Sequence, residues 1–442
     1  MQLRHCLVAP VLAGAFVFCC AAHARDLARE TLAPDDGWAA AGAGTTGGAA
    51  AAPERVHVVH TRNELVAALA FPDPTPKIVL VDGTIDANVD DANNALFCAD
   101  YARPDPTTGT PYALDAFLAA YDPAVWGRVN PSGPLERARA ASAAAQQARV
   151  RIRVPANTTI VGVGKKAKLV GAWLDIRPST TSGNVAMNVI VRNLSLMDTY
   201  DCFPQWAPTD GATGNWNSLY DAISVRNATN VWIDHNRFED RDTIDSGLPV
   251  YFGRLYQVHD GLVDVTNESD YVTVSWNRFY RHDKAMLIGS SDGATADRGK
   301  LRVTIHHNLF DGVGQRVPRV RYGQVHVYNN YYKADDAASY TYTWGVGVES
   351  AIVAQNNLFK GDAAIAPDFL IDRFNGIAIR AEGTYFGGTA ASHAIDAVAA
   401  WNAVNDPDLG TDVGWTPVLH GTIDATRDVP STVQNDAGPF VW

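Results

Sequence analysis

The octapeptide Val231-Trp232-Ile233-Asp234-His235-Asn236-Arg237-Phe238 recurs with variations further along this chain of 442 residues. The later copies are Val272–Phe279, Val303–Phe310, Val325–Tyr332 and Ile352–Phe359. Every copy has a β-branched residue first, Asn sixth and an aromatic residue eighth, and the third residue is β-branched in all but the last copy. Alternating β-branched residues are typical of strands, so each copy predicts a short strand that ends at an Asn.

The spacing of these Asn residues indicates how the strands are arranged. Successive Asn residues are 41, 31, 22 and 27 positions apart, and the shortest spacing is about one coil of a solenoid. A parallel β-helix would stack the Asn side chains from coil to coil, with the aromatic residues stacked inside and the longer coils carrying loops on one side. A β-sandwich also has many short strands, but it does not require Asn at the same place in each. We therefore expect an all-β parallel β-helix.

Composition limits the classes of function. The chain is 47% hydrophobic and 19% charged, with a net charge of −12, so nothing in its overall charge favours nucleic-acid binding. A local cluster of basic residues in such an acidic chain indicates an anion bound at one place. Because no long apolar run follows the first 24 residues, we expect no membrane association, and we expect a monomer.

The N-terminal region predicts export. Arg4 precedes an almost wholly apolar run from Leu7 to Ala22, and Ala22-His23-Ala24 has the pattern of a cleavage site, so we interpret residues 1–24 as a secretory signal peptide. The Ala/Gly-rich residues 25–53 predict a flexible leader. Residues 54–442 then form the β-helix domain, with an alanine-rich helical insertion at about 87–150. Beyond Gly361 the sequence predicts an irregular tail.

Two of the five cysteines, Cys98 and Cys202, remain after the signal peptide. In an exported protein such a pair is expected to form a disulfide bond.

An arginine-rich segment, Gly314-Gln315-Arg316-Val317-Pro318-Arg319-Val320-Arg321-Tyr322-Gly323, is the strongest candidate for anion binding. On a strand, Arg319 and Arg321 would share one face, and Arg316 would lie just outside that register because the proline bends the chain. Guanidinium groups held at fixed positions suit carboxylates or phosphates. The alternative is a solvated basic strand edge.

Three aspartates are candidates for a metal site. Asp260 and Asp264 are four positions apart in a β-branched segment, which places them on one face of a strand. Asp221 begins a strand about 40 residues earlier and is expected on the neighbouring coil, about 5 Å away. Three such carboxylates would repel one another without a cation, and an all-oxygen ligand set favours Ca²⁺ over Zn²⁺. The alternative is ordinary solvated aspartates at turns.

Three further residues are ambiguous. Lys284 follows the second repeat and could present its ammonium group to the same face, although a single lysine is usually a surface residue. Asp234 and His235 could support acid–base chemistry, but they lie inside the repeat, so we interpret them as structural. The sequence contains no nucleophilic serine elbow, HExxH motif or glycine-rich phosphate loop.

The chain resembles the pectate lyases, which are right-handed parallel β-helices, and is most similar to their Bacillus-type, calcium-dependent branch. The resemblance covers almost the whole mature chain, including the helical insertion. The motifs that carry it are Ala156–Gly162, Trp232–His235, His259–Gly261, His282–Lys284 and Gln315–Arg321. Leu219 stands where some members have a further carboxylate, and Val317 stands where Ala is usual.

This resemblance implies a role for each candidate residue. Asp221, Asp260 and Asp264 would bind Ca²⁺, and Arg316 would be the base that removes the C5 proton of a galacturonate residue. Lys284 and Arg321 would hold uronate groups, whereas Arg319 would be structural. The implied substrate is polygalacturonate, cleaved by β-elimination to 4,5-unsaturated products.

Three other functions fit the same fold. A pectin lyase would act on neutral methyl esters and would not need the three aspartates or Lys284. A hydrolase would need paired carboxylates about the scissile bond, and the three aspartates require no such role. A non-catalytic polysaccharide-binding module would not need Arg316 in an otherwise complete site.

Overall fold

Three parallel sheets wind around one hydrophobic interior, which confirms the right-handed parallel β-helix. The computed structural model describes residues 26–179, 185–242, 244–388 and 392–442. The predicted signal peptide, residues 1–24, lies outside the described residues. We find no described helix with the length and hydropathy of a membrane span.

Each coil contributes one strand to each of sheets 1, 2 and 3 in turn, except where loops intervene. The strands of sheet 1 are Val56–Val59, Lys77–Val81, Thr158–Gly162, Val185–Arg192, Ala228–Asp234, Asp270–Ser275, Val303–His306, Gln324–Tyr328, Ala351–Gln355 and Ile379–Glu382. The strands of sheet 2 are Thr84–Asp86, Lys168–Val170, Ser195–Met197, Arg237–Glu239, Arg278–Lys284, Leu309–Gln315, Tyr331–Ala334, Leu358–Gly361, Tyr385–Gly387 and, antiparallel at the edge, His393–Ala394. The strands of sheet 3 are Arg151–Val154, Trp173–Ile176, Ile223–Arg226, Val263–Thr266, Leu287–Ile288, Arg319–Val320, Trp344–Gly347 and Ile371–Phe374.

Helices and two small hairpins lie outside these sheets. The α-helices are Arg62–Leu69, Cys98–Tyr101, Leu114–Ala120, Pro123–Trp126, Pro134–Val150, Ala397–Asn402 and Val429–Asp436. The first of them begins at a capping box in which the Thr61 hydroxyl accepts the Glu64 N–H. The hairpins pair Gln205–Ala207 with Asn215–Asn217 and Val250–Tyr251 with Arg254–Leu255.

The repeated Asn residues form the predicted ladder. The Nδ2 atom of each Asn donates to Oδ1 of the Asn on the next coil at 3.0–3.1 Å, along the series Asn236, Asn277, Asn308, Asn330 and Asn357. The residue before each ladder Asn has a positive φ, from 49° to 54°, and this left-handed conformation turns the chain from sheet 1 into sheet 2. The ladder therefore satisfies buried polar groups where the backbone leaves the strands.

The aromatic residues of the repeat stack inside the solenoid. Ring centroids are 4.7 Å apart for Phe238 and Phe279, 4.8 Å for Phe279 and Phe310, and 5.1 Å for Phe310 and Tyr332. These rings are at most 3% exposed. Offset aromatic contacts add to the burial of apolar area along the axis.

The solenoid continues beyond Gly361, where the sequence predicts an irregular tail. One more coil adds strands to all three sheets, and its Phe386 stacks on Phe359 at 5.2 Å. The segment Ile379–Phe386 is a sixth copy of the repeat in which Thr384 replaces the Asn. Loss of that one residue hides the copy from sequence inspection.

Residues 26–53 pack along sheet 1, which differs from the flexible leader that their composition predicts. Leu27 and Ala39 are fully buried, and the backbone N–H groups of Trp38 and Ala39 donate to Thr304 and Thr273 at 2.9 and 3.0 Å. A Cβ on Gly37 would stand within 3 Å of Thr304, so the small residues permit close backbone approach to the sheet.

Four α-helices lie between the strands Thr84–Asp86 and Arg151–Val154. The longest, Pro134–Val150, contacts the loop around Tyr200, because the Gln146 side chain donates to the Tyr200 carbonyl and accepts the Cys202 N–H. Cys98 and Cys202 form a disulfide bond, which confirms the predicted pairing and joins the helical region to the same loop.

Candidate active site

Asp221 and Asp264 lie on neighbouring coils at the beginning of sheet 3. The strand after Asp221 pairs in parallel with the strand of Asp264, so that Ser224 lies directly opposite Asp264. One oxygen of Asp221 accepts the Ser224 hydroxyl, and the other accepts the Gly261 N–H at 3.0 Å. An oxygen of Asp264 accepts the Leu287 N–H at 2.9 Å. Both aspartates are only 8% exposed, and these hydrogen bonds fix their carboxylates in place.

Gly261 leaves open the space beside these two carboxylates. A Cβ on this residue would stand 2.9 Å from Oδ1 of Asp221 and still closer to Oδ1 of Asp264. The two oxygens therefore face one small space that any other residue would fill.

The charges of the three aspartates act on one another. Burial raises the pKa of Asp221 to about 7, and the negative charge of Asp260 contributes to the rise. Burial also raises the pKa of Asp264 well above its ordinary value, with the charges of Asp221 and Asp260 adding to it. The ionised carboxylates are thus unfavourable without a positive charge among them.

Lys284 lies beside the third aspartate. Its Nζ is 3.1 Å from Oδ1 of Asp260, and its side chain is 12% exposed. Lys284 ends the strand Arg278–Lys284 of sheet 2 and lies directly opposite Gln315 on the next coil. The turn between sheets 2 and 3 therefore brings the lysine, the aspartates and the arginine segment together.

His282 holds the backbone of Asp260. Its Nδ1 is 2.6 Å from Oδ2 of Asp240, and its Nε2 is 2.7 Å from the Asp260 carbonyl oxygen. Burial alone would lower the pKa of His282, but the charge and hydrogen bond of Asp240 raise it to about 9. Asp245 also lies close enough to complete a possible metal-binding group with Asp240 and His282. An imidazolium that donates from both nitrogens cannot bind a metal ion, so we interpret this group as a support for Asp260.

Arg316 lies immediately after the strand Leu309–Gln315. Its backbone has a φ of 58°, and its carbonyl accepts the Met286 N–H at 2.7 Å. Its Nε is buried and has no hydrogen-bond partner within the described part of the chain. The charge of Arg316 offsets part of the burial effect on the pKa of Asp264. The guanidinium thus stands near Asp264 without forming an ion pair with any described carboxylate.

Arg319 and Arg321 lie on one outward face of sheet 3, as their spacing predicts, and the residue between them, Val320, is fully buried. The guanidinium of Arg319 stacks on Phe374 at 3.8 Å from the ring centroid. Arg321 donates from Nε to Asp292 at 2.6 Å and from Nη1 to the Gly289 carbonyl at 3.0 Å. Arg321 is therefore held by a carboxylate of its own, apart from the three aspartates.

The family model described as "Pectate lyase" matches residues 4–109 and 129–408. The chain belongs to the pectate lyase family. A pectate lyase of Bacillus subtilis (strain 168) is 47% identical over 421 residues, which cover 94% of each chain. A solved pectate lyase bound to a hexasaccharide has a TM-score of 0.85 at 46% identity, covering 94% of this chain and 99% of that one. A thermostable pectate lyase has a TM-score of 0.89 at 45% identity, covering 95% and 100%. Its family membership identifies this chain as an enzyme, a pectate lyase.

Asp234 and His235 lie away from this candidate site. Asp234 is fully buried and accepts hydrogen bonds from Arg192 at 2.7 Å and Ser275 at 2.8 Å, and it contacts His235 Nδ1 at 2.7 Å. The structural interpretation of both residues agrees with these contacts.

Sequence reasoning did not assign roles to Gly261, His282 or Asp292. Gly261 and His282 lie within motifs that the resemblance includes, but neither spacing nor charge marks what they do. Asp292 lies 29 positions before its partner Arg321, and the two meet only because the solenoid stacks one coil on the next. The role of Asp292 becomes visible only once its long-range contact with Arg321 is known.

Proposed function

We propose that this enzyme is a Ca²⁺-dependent pectate lyase that cleaves α-1,4-linked polygalacturonate by β-elimination, with Arg316 as the base. The observation that carries the proposal is the grouping of three aspartates with Lys284 and with Arg316, which forms no ion pair with any of the described carboxylates. A relative in the same family is bound to a hexasaccharide, which supports a polysaccharide substrate.

The residues present fit a calcium ion. Asp221 and Asp264 direct oxygens at the space beside Gly261, and their raised pKa values reflect a lack of compensating charge. A set of carboxylate oxygens, with room for water or substrate oxygen, suits Ca²⁺. Asp221, Asp260 and Asp264 would hold the ion, and Asp260 would exchange its contact with Lys284 for it. When bound, Ca²⁺ would supply positive charge to the substrate carboxylate.

Proton removal falls to Arg316. The C5 hydrogen of a galacturonate residue is acidified by the adjacent carboxylate, and a neutral guanidine nitrogen can accept that proton. Guanidine is normally protonated, so a guanidine base requires conditions in which its neutral form is populated. This requirement leads us to expect an alkaline optimum.

Bond cleavage follows from the same charge distribution. The electron pair of the C5–H bond forms the C4–C5 double bond, and the C4–O4 bond breaks with its electron pair on the leaving oxygen, which takes a proton from solvent. Negative charge builds on the uronate carboxylate during this step. Lys284 and Arg321 would hold that carboxylate, since fixed cations are most effective where charge develops.

We also propose that the enzyme is exported. The disulfide bond between Cys98 and Cys202 supports an oxidising compartment, and the apolar N-terminal run supports a secretory signal.

The experiment measures the ultraviolet absorbance of unsaturated product from polygalacturonate at alkaline pH. It compares the wild type with Ca²⁺, the wild type with a chelator, and the Arg316→Ala variant. We expect absorbance only with both Ca²⁺ and Arg316. New reducing ends without absorbance would indicate a hydrolase, and activity restricted to methylated pectin without metal would indicate a pectin lyase. Binding without cleavage of either polymer would indicate a binding module.

A further inference from the structure

Apart from the candidate active site, a cavity lined by cations lies on the outer face of sheet 2. It has a volume of about 500 Å³ and is closed on one side by the C-terminal residues 435–440. Its walls carry five cationic side chains and two carboxylates, Glu239 and Asp436. The cations are Lys165, Lys168, Arg237, Arg241 and Arg278. We call this cavity the basic groove.

The strand register places three of the five cations of the basic groove in one row. Lys168 pairs with Ser195, Ser195 with Arg237, and Arg237 with Arg278. These four residues therefore lie in a row across successive coils, about 4.8 Å apart. The next residue of each strand, such as Phe238, is buried in the interior, so the row faces outward. The row runs along the solenoid axis, as a linear ligand would.

Most of this positive charge is not neutralised within the protein. Arg278 donates to the carbonyl oxygens of Ala437 and Gln434 at 2.7 and 2.6 Å, which are neutral acceptors. Arg237 is paired with Glu239 at 2.6 Å. Lys168 and Arg241 have no carboxylate within ion-pair distance among the described residues. A cavity with excess cations in a protein of net charge −12 is suited to an anion.

The basic groove is distinct from the candidate active site. The strand Arg278–Lys284 begins in the groove and ends beside Asp260. Six residues of extended strand span about 20 Å, so a three-sugar fragment cannot occupy both places. A long polymer can occupy both the groove and the candidate active site. Binding in the groove then raises the effective concentration of the polymer at the candidate active site.

We propose that the basic groove binds a second stretch of the acidic polysaccharide, outside the catalytic cleft. The identity of the polymer rests on the proposed function. A polyuronate carries a carboxylate on every sugar, which suits three cations set along one axis with further cations beside them. The groove also gives a polyanion a place to bind on a protein whose net charge otherwise repels it.

The first test measures binding of polygalacturonate with a chelator present, so that it does not depend on Ca²⁺ or turnover. Affinity gel electrophoresis at low salt compares the wild type with Lys168→Ala/Arg241→Ala. We expect at least a fivefold weaker affinity in this variant, with an unchanged thermal midpoint because both side chains reach solvent. The control, Lys300→Ala/Arg427→Ala, removes the same charge elsewhere and should bind like the wild type. Equal weakening in both variants, or in neither, would overturn the proposal.

The second test compares substrates of different length. In the groove variant we expect KM for polygalacturonate to rise at least threefold, with kcat and the turnover of a galacturonate trisaccharide unchanged. An unchanged KM for the polymer would overturn the proposal while leaving the proposed function intact. A wild type that binds polygalacturonate through the groove but does not cleave it would refute the proposed function alone. If inorganic phosphate binds and polygalacturonate does not, the groove is an anion site of another kind and the proposal fails.

Discussion

At the scale of single residues, Gly261 leaves open the space in which the carboxylates would share the proposed cation. The Gly261→Ala substitution would place a methyl group in the space between Asp221 and Asp264. We expect at least a tenfold higher Ca²⁺ concentration for half-maximal activity, measured by titrating Ca²⁺ into the lyase assay. Gly421→Ala, where no heavy atom lies within 4 Å of the added Cβ, is the matched control. If Gly261→Ala needs the same Ca²⁺ concentration as the wild type, the metal ion does not bind in this space.

Arg316 is tested by a substitution that keeps its charge. Lysine cannot place a nitrogen where the guanidine nitrogen stands, so Arg316→Lys should lower kcat at least about 100-fold, the size expected for loss of a positioned base. Its thermal midpoint should stay near that of the wild type, because Arg316 Nε has no partner to lose. Arg298→Lys, at an exposed ion pair with Glu349, is the control. Full activity of Arg316→Lys near neutral pH would contradict the assignment.

Sequence alone predicts those candidate site residues that have a distinctive type and spacing. The aspartates and arginines are found because carboxylates and guanidinium groups recur at strand spacing in one region. Gly261 and Asp292 are not found, because their roles depend on which atoms the stacked coils bring within contact distance. The support of Asp260 by His282 is likewise a contact between residues 22 positions apart.

At the scale of elements, the Asn ladder joins the coils through buried hydrogen bonds. Asn308 accepts the Asn277 N–H and donates to Asn330 and to two backbone carbonyl oxygens. Asn308→Ala would leave several buried polar groups unpaired, at about 1–3 kcal/mol each. We expect the free energy of unfolding to fall by about 4 kcal/mol, measured by urea denaturation. Asn94→Ala, in an exposed loop, should change it by less than about 1 kcal/mol.

The disulfide bond stabilises the helical insertion against the loop near Tyr200. It closes a loop with a sequence separation of 104 residues, for which the chain-entropy model gives about 4 to 5 kcal/mol. The Cys98→Ser/Cys202→Ser variant should therefore have a lower thermal midpoint than the oxidised wild type. A reductant should lower the wild-type midpoint to a similar value and leave the variant unchanged. Equal midpoints for the variant and the oxidised wild type would contradict this role.

The element scale also explains which parts of the fold sequence reveals. Copies of the repeat that keep Asn are recognised, because the ladder needs an amide at each coil. The coil with Thr384 is missed because it ends the ladder, and the packing of residues 26–53 is missed because alanine and glycine carry no pattern. The alanines and glycines of residues 26–53 fit closely against sheet 1 because their side chains are small. The same small side chains give this segment the composition of a flexible linker.

At the scale of the whole molecule, the buried aspartates link stability to pH and, under the proposed function, to calcium. The pKa of Asp221 is raised to about 7 in the folded protein, and that of Asp264 is also raised. In the unfolded chain both ionise near pH 4. Between about pH 4 and pH 7 the unfolded metal-free chain therefore binds fewer protons than the folded one, so the free energy of unfolding falls as pH rises.

If Ca²⁺ binds at the proposed site, it should reverse this loss, because it would stabilise the ionised carboxylates in the folded state alone. We expect Ca²⁺ to raise the thermal midpoint little at pH 5 and much more at pH 8, with about 2.7 kcal/mol of stabilisation at a concentration 100 times the dissociation constant. The control is Asp221→Asn/Asp264→Asn, which should have a midpoint insensitive to Ca²⁺ and, in chelator at pH 8, above that of the wild type. A Ca²⁺ effect of equal size at both pH values would mean that these carboxylates do not ionise on binding the metal. No Ca²⁺ effect at pH 8 would mean that they do not bind it.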